Sequence, residues 1–250
     1  MLTGRQRAVA EVDLEAIRHN VRRLMRDLPE GAVHCAVVKA GGYGHGAVPV
    51  ARAALEAGAT WLGVATAAEA RELRAAGLTA PVLILGPLTG ADLADAAEAG
   101  AEVVAWSVPF LRAAARLAVR VHVKVDTGMG RLGAQPEDTL PLLRALAGMP
   151  GLTVEGLYTH FATAASAEEA FPREQIDRFD ALLAEVTAAG LRPPLVHAAN
   201  SAGTLRHPRA RYDLVRCGIA LYGLDPDPDT PKPADFKPAL SLITRVAQIK

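Results

Sequence analysis

A chain of 250 residues, half of them hydrophobic, is long enough to bury one large barrel core or two smaller domains. Its 27 basic and 27 acidic side chains cancel, which removes any whole-chain electrostatic case for nucleic acid or an anionic membrane as partner. No apolar run approaches membrane-spanning length, and the N-terminal stretch lacks the hydrophobic segment of a secretory signal. The cysteines, Cys35 and Cys217, have no metal-ligand or redox spacing and read as reduced, buried small hydrophobes of a cytoplasmic protein.

Along the chain, a helix over Asp13–Arg26, capped by Asp13, comes first. Short β-branched runs then alternate with Ala/Leu/Arg-rich amphipathic stretches. Strands are predicted at Val33–Ala40, Trp61–Thr66, Pro81–Gly86, Glu102–Ser107, Arg120–Thr127, Val154–His160, Leu195–Asn200 and Leu214–Gly223. Helices are predicted between them at Ala47–Ala57, Ala67–Ala76, Ala91–Ala99, Val108–Ala118, Pro136–Ala147 and Ala167–Ala189. This rhythm gives the fold class as α/β, a (β/α)8 TIM-type barrel over residues 1–224, with an open doubly wound sheet as the runner-up. A proline-rich connector, Asp225–Pro233, follows, and Leu240–Lys250 alternates like a strand. Residues 225–250 are therefore expected to be a linker and the incomplete beginning of a β-rich second domain; the plainer alternative is an edge strand added to the barrel.

In such a barrel the functional face lies at the carboxyl ends of the strands. Lys39 and Tyr43 fall there after the first predicted strand, Arg131 after the fifth, His160 at the end of the sixth, and Asn200 and Ser201 at the end of the seventh. Arg216, Gly218, Ile219 and Tyr222 lie on or just past the eighth. Each has an ordinary structural reading, but their convergence favours a ligand site. Lys39 closes an apolar strand and runs into Gly41, Gly42, Gly44 and Gly46. A partly desolvated amine in that position can act as a nucleophile towards a carbonyl, including the aldehyde of pyridoxal phosphate; a snorkelling surface lysine is the bland alternative. In the fifth strand the valines suit the helix layer, which turns His122, Lys124 and Asp126 inward. A buried Lys124 needs negative charge, from Asp126, from a bound anion, or from its own modification. Backbone N–H groups at Cys217-Gly218-Ile219, with the hydroxyls of Ser201 and Tyr222, could receive a phosphate.

The ordered set VVKAGGYGHG (37–46), KVDTGMGRLG (124–133), THFATA (159–164), HAANSAG (197–203) and RCGIALYG (216–223) resembles the barrel domain of the alanine racemases, fold-type III enzymes that use pyridoxal 5'-phosphate. The resemblance covers nearly the whole chain. It implies interconversion of L- and D-alanine by two bases, with D-alanine supplied to the peptidoglycan of the cell wall. It further implies that Lys39 binds the cofactor and is the base on the D-alanine side, and that Tyr43, Ser201, Gly218, Ile219 and Tyr222 surround the phosphate, with Asn200 also at the cofactor. Arg216 would meet the pyridine nitrogen, with His160 and His197 behind or beside it. Arg131 would contact the phenolic oxygen and the substrate carboxylate, and Lys124 matches a lysine often carbamylated in the family. The family-level expectation places Lys39, Arg131, His160 and Arg216 in catalysis, alanine as small-molecule substrate, a homodimer for the full-length protein, and no metal.

Two departures stand out. The family usually has Asn and Ala where this chain has Gly41 and Gly42, which is expected to loosen the lysine loop. The second base in the family is a tyrosine of the second domain, contributed across a dimer; Tyr43, Tyr158, Tyr212 and Tyr222 all belong to the barrel. This chain alone is therefore expected to racemise weakly or not at all. The alternatives are a non-catalytic barrel that binds pyridoxal phosphate, a racemase or decarboxylase for another amino acid such as serine, and a barrel with no cofactor.

Overall fold

Alternating side chains decide which face of each strand is buried against what. Along β2 (Val33–Val37), Cys35 and Val37 point into a small inner cluster with Trp61, Leu83, Val104, Tyr158 and Leu214, while Ala36 joins the larger core under the helices. Both faces are covered, and a parallel sheet requires that. The computed structural model describes residues 7–227, 231–246, 248 and 249. In it β2, β3 (Trp61–Val64), β4 (Val82–Ile84), β5 (Glu102–Ala105), β6 (Arg120–Lys124), β7 (Thr153–Tyr158), β8 (Leu195–His197) and β9 (Leu214–Cys217) form a closed, eight-stranded parallel barrel. Helices α3 (Ala47–Glu56), α4 (Ala67–Ala75), α5 (Gly90–Glu98), α6 (Val108–Ala115), α7 (Pro136–Ala147) and α8 (Ala170–Ala188) lie between successive strands. Each strand starts where predicted or one residue away and is shorter at its carboxyl end, because the last predicted residues turn into the loops that carry the rim.

The chain enters through β1 (Ala8–Val12), which the sequence did not signal, and α1 (Leu14–Met25), whose cap is Asp13 as expected: its carboxylate accepts from the N–H groups of Glu15 and Ala16. The C-terminal strand β10 (Leu240–Thr244) is not an edge strand of the barrel; it pairs antiparallel with β1 in a separate two-stranded sheet. Residues 1–6, and within the connector and C-terminal stretch residues 228–230, 247 and 250, lie outside the described residues. The described end of the connector is fastened to the barrel. The buried amide of Asn20 donates to the carbonyls of Leu221 and Lys237 and accepts from the Lys237 N–H, while Phe236 and Ala239 are buried. Both cysteines are free and buried, in β2 and β9. Among the described residues no helix is long and apolar enough to cross a membrane, and no group of three or more His, Cys, Asp or Glu is placed to hold a metal ion.

Two local features shape the functional end. The short α2 (Lys39–Tyr43) is a left-handed turn: Ala40, Gly41, Gly42, Tyr43 and Gly44 have φ of 53°, 61°, 65°, 52° and 82°. A residue with a Cβ costs roughly 1–2 kcal/mol in that region, so Gly41 and Gly42 lower the strain of the turn. The expected loosening meets a second restraint, since one carboxylate, Glu69, accepts from the N–H of Ala40 at 2.6 Å and from that of Ala65 at 2.6 Å. The other feature is a register shift in β6 between Val121 and His122, which sets His122 opposite Gly156. A Cβ at Gly156 would lie 2.1 Å from His122 Nδ1, so this strand position takes glycine to let the imidazole lie across it.

Candidate active site

A cavity of about 480 Å³ opens among the strand ends, and the residues from different strands meet there. Lys39, Tyr43, Lys124, Arg131, His160, Asn200, Ser201, Arg216, Gly218 and Ile219 all line it. The cationic side chains in its wall are Lys39, Lys124, Arg131 and Arg216, and no aspartate or glutamate is among the lining residues.

Each cation is held differently. Lys124 is 3 % exposed, and burial, together with Arg131 and Arg216, lowers its pKa from the usual 10.5 to about 8. The ion pair with Asp126, one of the three sources of negative charge open to it, is not formed. Asp126 instead turns back into its own loop and accepts from the N–H groups of Gly128, Met129 and Gly130, which keeps its carboxylate below the ordinary range although burial opposes this. A carboxylate offered three nearby N–H donors gains more from them than from reaching along the strand to an amine. Arg216 is 3 % exposed and touches no carboxylate. Its Nη1 donates to His197 Nδ1, and its Nη2 to the carbonyls of Thr159 and Ala198 at 2.9 and 3.1 Å and to His160 Nδ1 at 3.2 Å. Burial and the neighbouring cations push His160 and His197 well below the usual histidine value, so both rings are neutral acceptors.

In another part of the cavity wall, α9 (Ser201–Arg206) begins at Asn200, whose side chain caps it by accepting from Gly203 N–H at 2.9 Å. Ser201 Oγ accepts from the N–H groups of Gly218 and Ala220 at 3.0 and 3.2 Å, tying that helix to the turn after β9. A Cβ on Gly218 would sit 2.4 Å from the Tyr43 hydroxyl, so only glycine leaves this corner open. Tyr222, expected at the same corner, does not line the cavity. It is buried behind Tyr43, ring centroids 5.0 Å apart, and its hydroxyl donates to the Val37 carbonyl at 3.2 Å.

The family model "Alanine racemase, N-terminal domain" matches residues 12–226. The chain belongs to the alanine racemase N-terminal domain family. It is 47 % identical over 255 residues to the alanine racemase of Symbiobacterium thermophilum, covering 100 % of this chain and 67 % of that protein. It is 44 % identical to that of Geobacillus stearothermophilus, covering 96 % and 63 %. Among solved structures, the alanine racemase from D-cycloserine-producing Streptomyces lavendulae superposes with a TM-score of 0.90 at 40 % identity, over 96 % of this chain and 65 % of that one. The enzyme from Bacillus anthracis, solved with bound L-Ala-P, gives 0.89 at 40 % identity, over 96 % and 64 %. The chain thus spans about two thirds of the length of these racemases.

Sequence reasoning missed one residue of the cavity wall and two glutamates outside it. Tyr158 lines the cavity; its ring stacks on His197 with centroids 4.6 Å apart, and its hydroxyl has no hydrogen-bond partner. Its signal was present, two residues before His160 on the same face of a strand. Glu69 was also visible, because Thr66-x-x-Glu69 spells a capping box, although the extra reach to Ala40 was not. Glu102 gave no local sign: its partner His122 lies 20 residues away on the neighbouring strand.

Proposed function

We infer that this cavity binds pyridoxal 5'-phosphate and an amino-acid carboxylate, and that the protein containing it interconverts L- and D-alanine. The observation that carries the reading is the cavity wall itself: Lys39, Lys124, Arg131 and Arg216 with no carboxylate among them. Lys124 and Arg216 are buried, and buried cations are costly unless anions complete them. A phosphate and a carboxylate are the matching ligands, and the glycine-only corner at Gly218 leaves room for the phosphate beside Ser201, Ile219 and Tyr43.

The chain's own residues divide the work. Lys39, the amine at the start of the pinned left-handed turn, would hold the cofactor covalently and, once the substrate amine has taken its place and freed its Nζ, would accept or return the α-proton on one face of the substrate. When bound, pyridoxal phosphate withdraws electrons from the α-carbon and acidifies that proton. Arg216 would face the ring nitrogen; a guanidinium does not release its proton, so the nitrogen stays unprotonated and electron withdrawal stays moderate, which favours proton return over side reactions. Arg131, exposed at the rim, would meet the substrate carboxylate. Lys124, with a depressed pKa and no ion pair, gives up its proton more readily than an ordinary lysine, and the amine so freed could capture carbon dioxide as a carbamate, which would place an anion beside Arg131. Racemisation also needs an acid–base group on the opposite face, for which we propose a tyrosine brought by a further domain across a homodimer. D-alanine formed in this way would serve the bacterial cell wall.

Competitive binding tests the charge argument. Pyridoxal phosphate should bind on the order of a hundredfold more tightly than pyridoxal, from two charge-assisted hydrogen bonds of about 1.5 kcal/mol each. Equal affinities would remove the basis for the assignment.

A further inference from the structure

Behind Arg216 the barrel interior holds an unbroken row of polar groups that the proposed reaction does not use. Arg216 Nη1 donates to His197 Nδ1; His197 Nε2 lies 2.8 Å from His122 Nδ1; His122 Nε2 lies 2.7 Å from Glu102 Oε2. Glu102 Oε1 is 2.7 Å from Arg120 Nη2, an ion pair at the half-exposed start of β6. All four inner groups are buried: Arg216 3 %, His197 0 %, His122 0 % and Glu102 1 % exposed. The row runs the length of the barrel, from the carboxyl-end cavity to the amino-end of β5 and β6.

The direction of every bond in it is forced. A guanidinium has only donors, so His197 Nδ1 must be an acceptor and His197 must carry its proton on Nε2. That proton requires an acceptor at His122 Nδ1, which puts the proton of His122 on Nε2, pointing at Glu102. A carboxylate, having only acceptors, ends the row, and Arg120 meets its other oxygen. Protonating either ring would set donor against donor. The remaining neighbours do not compete: His122 meets the edge of Trp61, centroids 5.6 Å apart, and His197 stacks on Tyr158.

We propose that Glu102, His122 and His197 are positioning residues that lock both imidazoles as neutral Nε2–H tautomers and so hold Arg216 in a single orientation at the floor of the cavity, with Glu102 as its relayed counter-ion. Strand register supports this. The shift between Val121 and His122 and the glycine at 156 serve to lay the His122 ring between its two partners, and a Cβ at 156 would remove it. That Arg216 then faces a cofactor ring nitrogen rests on the reading above; the ladder itself does not.

The test is nitrogen-15 NMR of histidine-labelled protein at neutral pH, without cofactor. Both His122 and His197 are expected as Nε2–H tautomers; an Nδ1–H or doubly protonated ring at either position would overturn the ladder. Glu102→Gln keeps an acceptor oxygen but removes the charge, so the His122 Nε2 proton should move upfield and His197 should follow by less. Unchanged resonances at both rings would refute the relay. In the double variant Glu102→Leu with His122→Phe, hydrogen exchange of the Arg216 guanidinium should accelerate about tenfold, the factor that corresponds to about 1.4 kcal/mol of hydrogen bonding. An unchanged exchange rate in a folded double variant counts against the proposal. Should that variant fail to fold, the tautomers and the Glu102→Gln shifts decide. Pyridoxal phosphate binding, measured separately, distinguishes failure of the ladder from failure of the cofactor assignment.

Discussion

Lys124→Met isolates the cost of placing an amine in an all-cation cavity. The drop from 10.5 to about 8 corresponds to about 3 kcal/mol at most. The amine faces an open cavity, and solvent screening there reduces the figure to about 1–2 kcal/mol. The sign follows from proton counting. The folded pKa lies below the unfolded one, so between pH 8 and 10.5 the unfolded chain binds more protons and stability rises with pH. The penalty is therefore complete below pH 8 and absent above about 10.5. Lys124→Met, which fills similar volume, should stabilise the chain by about 1–2 kcal/mol at pH 7 and by little at pH 10.5, as measured by urea unfolding. Bicarbonate adds a second arm: carbamate formation would turn the amine into an anion beside Arg131 and raise wild-type stability at pH 7 and 8 while leaving Lys124→Met unchanged. Equal stabilisation at both pH values would refute the electrostatic account.

Two further substitutions probe the supports. Glu69→Gln leaves one acceptor oxygen facing the N–H groups of Ala40 and Ala65, and should cost about 1–2 kcal/mol with faster amide hydrogen exchange confined to residues 40–44; exchange spread evenly over the chain would mean that the carboxylate does not pin the lysine turn. Gly156→Ala should cost at least about 1–3 kcal/mol by overpacking against His122, seen as a lowered urea midpoint with unchanged slope; a neutral effect would show that the ring is free to move.

Much of this architecture was legible because parallel barrels are written in a simple code. Runs such as Val121, Val123 and Val125 marked the helix-facing side of a strand, and the glycines after Lys39 marked where it ended. The rim residues followed from strand ends alone, and nine of them share one cavity. What was hidden depended on distance in sequence. Asp126 looked like a partner for Lys124 because strand alternation ignores the pull of three loop N–H groups. Tyr222 looked like a cavity residue because the 3₁₀ turn Ile219–Tyr222, which rotates it behind Tyr43, has no strong signature. The β1–β10 pair joins residues more than two hundred positions apart, and Glu102 meets His122 only once the register is known.

The central claim is that Lys39 is the cofactor-holding amine of this cavity. Incubation with pyridoxal phosphate, borohydride reduction and peptide mass mapping test it directly, with Lys124, Lys232 and Lys237 as internal competitors. A stoichiometric label is expected on Lys39, and it should disappear in Lys39→Ala without moving elsewhere. A label of equal yield in that variant, or one distributed among the other lysines in the wild type, would contradict it.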